Sequence, residues 1–216
     1  MGLNRAVLAI AAVGIAITPA AHAARSNVRV TTLAGDLVAQ TVSGAARSVV
    51  DGAGTPHALP ADTALGQLAA VTATADVSLL VEYSAFGAYV SGIGRLAYGN
   101  AYWELFVDNA PSEVGAADVT IAPTHELVWL LNPDFNGPDP TFLDLDRTRS
   151  SGGRVTVRVT RSGKAPAPAA GATVRINGRA YRADHAGVVR ARVHGAWSAR
   201  ATLAGSAASE RLTGTA

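Results

Sequence analysis

The residues able to do chemistry in this 216-residue chain are few and scattered. Cysteine is absent, which excludes thiolate catalysis, disulfides and a lipid-modified cysteine within the chain. No G-x-S-x-G elbow occurs, and His57, His125, His185 and His194 are dispersed along the sequence, so a nucleophile, base and orienting group are not brought together by any local motif. Glu82 and Glu104 fall in predicted strands and supply the paired carboxylates a hydrolase would need if they converge; as outward strand positions they need no such role. Asn132, Asp134 and Asn136 place oxygen ligands at alternate positions before Gly137, like the opening of a calcium loop, with Asp139, Asp144 and Asp146 as further donors. Position twelve, however, is Leu143 rather than a bidentate glutamate. No zinc, dinucleotide or P-loop signature is present, and no cofactor is expected.

Aromatic and arginine side chains are the stronger pointers. Tyr98, Asn100, Tyr102 and Trp103 surround a Gly99-Asn100 turn and form a candidate ligand loop, able to stack on a sugar or a tetrapyrrole-like ring. Successive strand residues point opposite ways, so one of Tyr102 and Trp103 must face the core. Arg158, Arg175, Arg190, Arg192 and Arg200 occupy outward positions of alternating strands and are expected to form an arginine-bearing face that attracts anions.

The elements carrying these groups fall into two modules. In the first, strand signals at 28–33 and 37–42 flank a Gly35-Asp36 turn, the Gly/Pro stretch 52–56 reads as a loop, and Asp62 caps a predicted helix over 63–71. Strand signals follow at 77–83, 88–93, 102–107, 119–121 and 126–131, which predicts one helix on a mixed sheet. Residues 132–153 are rich in Pro and Gly and read as a linker packed through Phe135, Phe142 and Leu145. The second module, 154–216, alternates strictly at 155–159 and 172–176, reaches an Asn177-Gly178 hairpin turn, and alternates again at 188–193 and 197–203; this predicts a small antiparallel β-sandwich.

Four ordered blocks carry a family resemblance: Gly87 to Leu96, Tyr102 to Asn109, Val114 to Asp118, and Leu127 to Trp129. With the preceding helix they resemble the DUF4430 family of exported bacterial domains, which is similar to the C-terminal domain of transcobalamin. The resemblance implies a β-grasp-like sheet with one helix over 24–131 and, by analogy, contact with a cobalamin-like ring. The stretches Ala169 to Val174, Ala183 to Gly187 and Arg200 to Thr202 are similar to carboxypeptidase-regulatory or transthyretin-like sandwiches of surface proteins.

Compartment and charge complete the reading. Arg5, the apolar run 6–17 and Ala21-His22-Ala23 predict a signal peptide over 1–23; twelve apolar residues fall short of the about twenty that span a bilayer, and no other segment of the chain does better. From Ser26 to Ser150 fourteen acidic residues face five basic ones, whereas from Ser151 onward two face eleven. The near-neutral total therefore hides an acidic first module and a basic second one. Arginine so dominates lysine that a GC-rich bacterial source is expected. The chain is expected to be a secreted or cell-wall-associated, non-catalytic binding protein. Its expected partners are a cell-wall polymer, a surface protein or a small molecule. Nucleic acid is not expected, because no reader motif is present.

Overall fold

The computed structural model describes residues 25–44, 46–96 and 99–216; the predicted signal peptide lies outside them. The chain is mainly β, with one helix among the described residues. Hairpin β1 (Arg25–Thr32) and β2 (Gly35–Ser43) is followed by a small hairpin, β3 (Arg47–Val50) and β4 (Pro56–Leu59), then α1 (Ala64–Thr74). A second two-stranded ribbon, β5 (Leu79–Ser84) and β6 (Gly87–Ile93), precedes β7 (Tyr102–Val107), β8 (Ala110–Pro111) and β9 (Glu126–Asn132). The main sheet runs β2-β1-β9-β7-β8, with β1 and β9 parallel at its centre. That parallel pair requires a long crossover, which the helix and both ribbons supply; this is the β-grasp-like arrangement.

Several local expectations are corrected. The first hairpin turns at Leu33-Ala34 rather than Gly35-Asp36, because the Thr32 hydroxyl accepts the N–H groups of Ala34 and Gly35. The Gly-rich stretch read as a loop is the turn of the β3–β4 hairpin, with Pro56 opening β4. Thr63, not Asp62, caps α1: its side chain accepts from Gly66 N at 3.1 Å while its hydroxyl donates to the Pro60 carbonyl. The exposed Asp62 contributes its carbonyl to Ile121 N. Residues 119–121 accordingly form no strand but tie to the helix entrance through Val119 O, Ile121 N and an isolated bridge at Thr120. Thr63→Ala is expected to lower stability by about 1 kcal/mol, read by urea denaturation; Thr63→Ser should recover most of it.

The second module packs two sheets. One contains β10 (Thr141–Ser151), β11 (Arg154–Arg161), β12 (Ala167–Pro168), β15 (Val188–Arg192) and β17 (Ser206–Ala207); the other runs β14 (Arg179–Arg182), β13 (Thr173–Ile176), β16 (Ala196–Thr202), β18 (Leu212–Thr215). Val155, Val157 and Val159 meet Val174, Ile176, Trp197, Ala199 and Ala201 in the core between them. Every pairing is antiparallel except the short contact of β10 with β17. Asn177-Gly178 forms the expected turn, both residues at positive φ.

The stretch read as a linker is corrected by β10, an eleven-residue strand within 132–153. Leu143 and Leu145 face the sandwich core, while Phe142 faces the other way, and Gly152-Gly153 at positive φ turns β10 into β11. Only residues 133–140 connect the two sheets. Phe142 and Ala207 pack on Phe106, Val128 and Leu130, so the sandwich covers the face of the main sheet opposite the helix.

Arg29 locks this junction. Its side chain is 2% exposed and bonds Asp36 Oδ1 through Nε at 2.8 Å, the Leu143 carbonyl through Nη1, and the Ala208 carbonyl through Nη2. The guanidinium also lies over the Phe142 ring. The other oxygen of Asp36 meets Arg200 at 3.5 Å, so one carboxylate from the acidic module holds an arginine from each side of the junction.

Candidate functional site

Alternation along β11 decides where the basic groups go. With Val155, Val157 and Val159 turned inward, Arg154, Thr156 and Arg158 must point outward. Strand register then lines up two transverse rows on this outer face. Ser151, Arg154 and Arg192 are opposite one another in one row; Arg149, Thr156 and Arg190 are opposite one another in the next. A bulge in β10 between Arg147 and Arg149 re-aims the strand at this point. Together these side chains line a shallow basin of about 470 Å³.

Few acids neutralise the basin. Arg190 Nη1 is 3.4 Å from Asp184 Oδ2, in an exposed pair whose screening leaves it weak. Backbone N–H bonds, first from Val188, hold the Asp184 carboxyl below its ordinary value. Arg149 Nε donates to Ser151 Oγ at 3.3 Å. Arg154 and Arg192 sit directly across neighbouring strands, where like charges destabilise the pairing.

Of the five arginines expected on one face, only Arg190 and Arg192 line this basin. Arg158 lies one register step away opposite Asp146, whose carboxyl is pushed up by burial and by Asp144 while Arg158 pulls it down. Arg175 and Arg200 are cross-strand neighbours in the other sheet; the first bonds the Gly178 carbonyl and the second the Ser209 carbonyl and Asp36. The single arginine face is thus corrected to two, because alternating strands of a sandwich turn their outward residues to opposite sides. Arg154 was legible as the residue two before Thr156 on the same strand face. Arg149 was not, since its strand was read as linker.

The aromatic loop is only partly assembled. Tyr98 lies outside the described residues. Asn100 is exposed and its carbonyl accepts from Phe135 N, while the Tyr102 hydroxyl accepts from Asn132 Nδ2 at 2.8 Å and its ring meets Phe135 edge-on. Of the Tyr102–Trp103 pair, Trp103 is the one that faces the core: it is 7% exposed and its indole donates to the Leu96 carbonyl. The calcium candidates close local turns instead. Asn132 Oδ1 accepts from Asp134 N and Asp134 Oδ1 from Asn136 N. Among the described residues, no group of three or more His, Asp and Glu gathers to hold a metal.

Glu82 and Glu104 do not share a site. Glu82 lies over Gly52, where a Cβ would come within 2.5 Å of its carboxylate. Glu104 and Asp139 instead line a cleft of about 590 Å³ between the modules, with Glu113, Lys164 and an apolar floor of Phe106, Pro111 and Pro140. Burial pushes the Glu104 carboxyl up, Asp139 adds to this, and Lys164 opposes it.

His57 makes the closest approach to a catalytic pair. Its Nε2 is 2.8 Å from Asp51 Oδ2, which holds the Asp51 carboxyl below its ordinary value, and its ring stacks on Tyr83 at 3.5 Å. Among the described residues no hydroxyl hydrogen-bonds this ring, and the stack ties the β3–β4 hairpin to β5. No helix among the described residues is long and apolar enough to cross a membrane. No known family model and no curated protein matches this chain.

Proposed function

We propose that the protein is exported and acts as a non-catalytic surface-binding protein whose sandwich engages anionic cell-wall polymer. The observation that carries this reading is the Arg154–Arg192 pair, two like charges held directly across neighbouring strands in a basin that also contains Arg149 and Arg190. Such a pairing destabilises the free sheet and is relieved when an anion binds between the guanidinium groups. The leader-like sequence over 1–23 supports export. The β-grasp-like strand order supports the DUF4430-like reading of the first module, which on this account packs on the Phe142 end of the sheet that bears the basin and presents the basin beside it.

Retention of the mature chain on purified anionic wall material tests the proposal. Binding is expected to fall steeply between about 0.05 and 0.5 M salt as screening shortens the reach of the charges. The double substitution Arg154→Glu/Arg192→Glu should weaken it at least about tenfold, while Arg175→Glu on the other sheet leaves it nearly unchanged. Retention indifferent to salt and to the first pair of changes overturns the reading. A second reading, a small-molecule binder, draws on the inter-module cleft with its apolar floor. A saturable rise in Tm with a small molecule, lost on substitution of Glu104 but not of Arg154, would favour it.

A further inference from the structure

The basin repeats one set of donors. Ser151, Arg154 and Arg192 supply one hydroxyl and two guanidinium groups; Thr156, Arg149 and Arg190 supply the same set in the adjacent row. The rows are two residues apart along β11, which at ordinary strand rise separates them by about 7 Å. Within the first row the arginines stand on neighbouring strands, about 5 Å apart, and in the second they flank the threonine. Arg149 Nε bonds Ser151 Oγ across the rows, which ties them together and leaves the serine proton available for a ligand.

The donor set selects the shape of the anion. A carboxylate is planar and pairs best with one guanidinium fork. A phosphodiester keeps two charged non-bridging oxygens, each of which accepts hydrogen bonds all round its P–O axis rather than in one plane, so forks from two strands and a hydroxyl from a third can reach it together. One phosphate satisfies one row. The repetition calls for a second, joined to the first by a short spacer.

We propose that the basin binds a linear phosphodiester polymer, one phosphate to each arginine-hydroxyl row, with the spacer running along β11 from Arg154 to Thr156. This deepens the surface-binding reading and rests on it. Export makes a polyol-phosphate chain of a cell wall the occupant, rather than nucleic acid, which has the same linkage.

Isothermal titration of the mature two-module chain tests it with four probes: a glycerol-phosphate oligomer of several units, glycerophosphoglycerol with its single diester, polyglutamate of matched charge number, and an oligodeoxythymidylate. The oligomer is expected to bind at least about tenfold more tightly than the single diester and than polyglutamate at equal salt. Arg154→Ala/Arg192→Ala and Arg149→Ala/Arg190→Ala should each bring oligomer affinity down to that of the single diester. Arg175→Ala should leave it unchanged. These changes are on an exposed face, and urea midpoints that do not fall confirm that the fold survives them. If polyglutamate binds as tightly as the oligomer, or if either row can be removed without loss, the two-row assignment fails while anion binding stands. Tighter binding of the oligodeoxythymidylate overturns the polyol assignment. Failure of every probe to bind overturns the surface-binding reading itself.

Discussion

Replacing Arg29 by alanine is expected to lower the unfolding free energy by about 3–5 kcal/mol, the usual consequence of removing one partner of a buried ion pair. The loss is concentrated at the junction. Asp36 keeps only its more exposed contact with Arg200, and the Leu143 carbonyl loses its donor in a buried position and the Ala208 carbonyl in a part-buried one. Arg29→Met should be nearly as damaging, because it restores apolar volume beside Phe142 but none of the hydrogen bonds. Arg29→Lys should recover part of the charge but not the fork that spans two carbonyls and a carboxylate. Urea unfolding followed by tryptophan fluorescence measures all three; a loss below about 1 kcal/mol for the alanine variant would mean that apolar packing alone holds the modules together.

Glu126→Gln should do the reverse and stabilise the protein above neutral pH. The Glu126 carboxyl is lifted to about 7, chiefly by burial at the junction, with Asp144, Glu210 and Asp146 adding to the shift and Arg29 opposing it. A carboxyl whose folded value is raised binds its proton more tightly folded than unfolded. It therefore imposes no penalty below about pH 4, accumulates one as pH climbs, and carries it fully above about pH 7. At 1.36 kcal/mol per pH unit the penalty approaches about 3 kcal/mol, less to the extent that water reaches the carboxyl. Glutamine abolishes it. Wild-type stability measured at pH 5 and pH 8 should thus fall with rising pH, and the variant should show a shallower slope and a higher urea midpoint at pH 8. Asp146 and Glu104, also pushed up by burial, leave a residual slope of the same sign. Equal slopes for both proteins would place the Glu126 carboxyl in ordinary solvent. Since Arg29 is the cation opposing the shift, Arg29→Ala should steepen the pH dependence.

The sandwich was the most legible part of the chain. Val155 to Val159 alternates with period two, as does Thr173 to Ile176, and Asn177-Gly178 names its own turn, so local chemistry and the final structure agree. The basin was half legible for the same reason: alternation turns Arg190, Arg192 and Arg154 outward. Strand 141–151 was hidden, because Pro138, Pro140 and the glycines at 152–153 suggested a linker and the strand's buried residues do not keep to one face. Phe142 serves the junction, while Leu143 and Leu145 serve the sandwich.

The same double burial governs the centre of the first module. Strand β9 is an almost unbroken apolar run because Leu127 and Trp129 face the helix while Val128 and Leu130 face the sandwich. In β1 that second face holds Arg29, a residue that alternation alone would assign to solvent. Composition, charge asymmetry and periodicity therefore determined by themselves that the described residues are β-rich with one helix and that the second half of the chain is basic. Each of these is a property of short stretches of residues. Tertiary structure alone decided which arginines share a basin and which one is buried as a clamp. Those outcomes depend on cross-strand register and on what covers a sheet face, and both are set by residues distant in the chain.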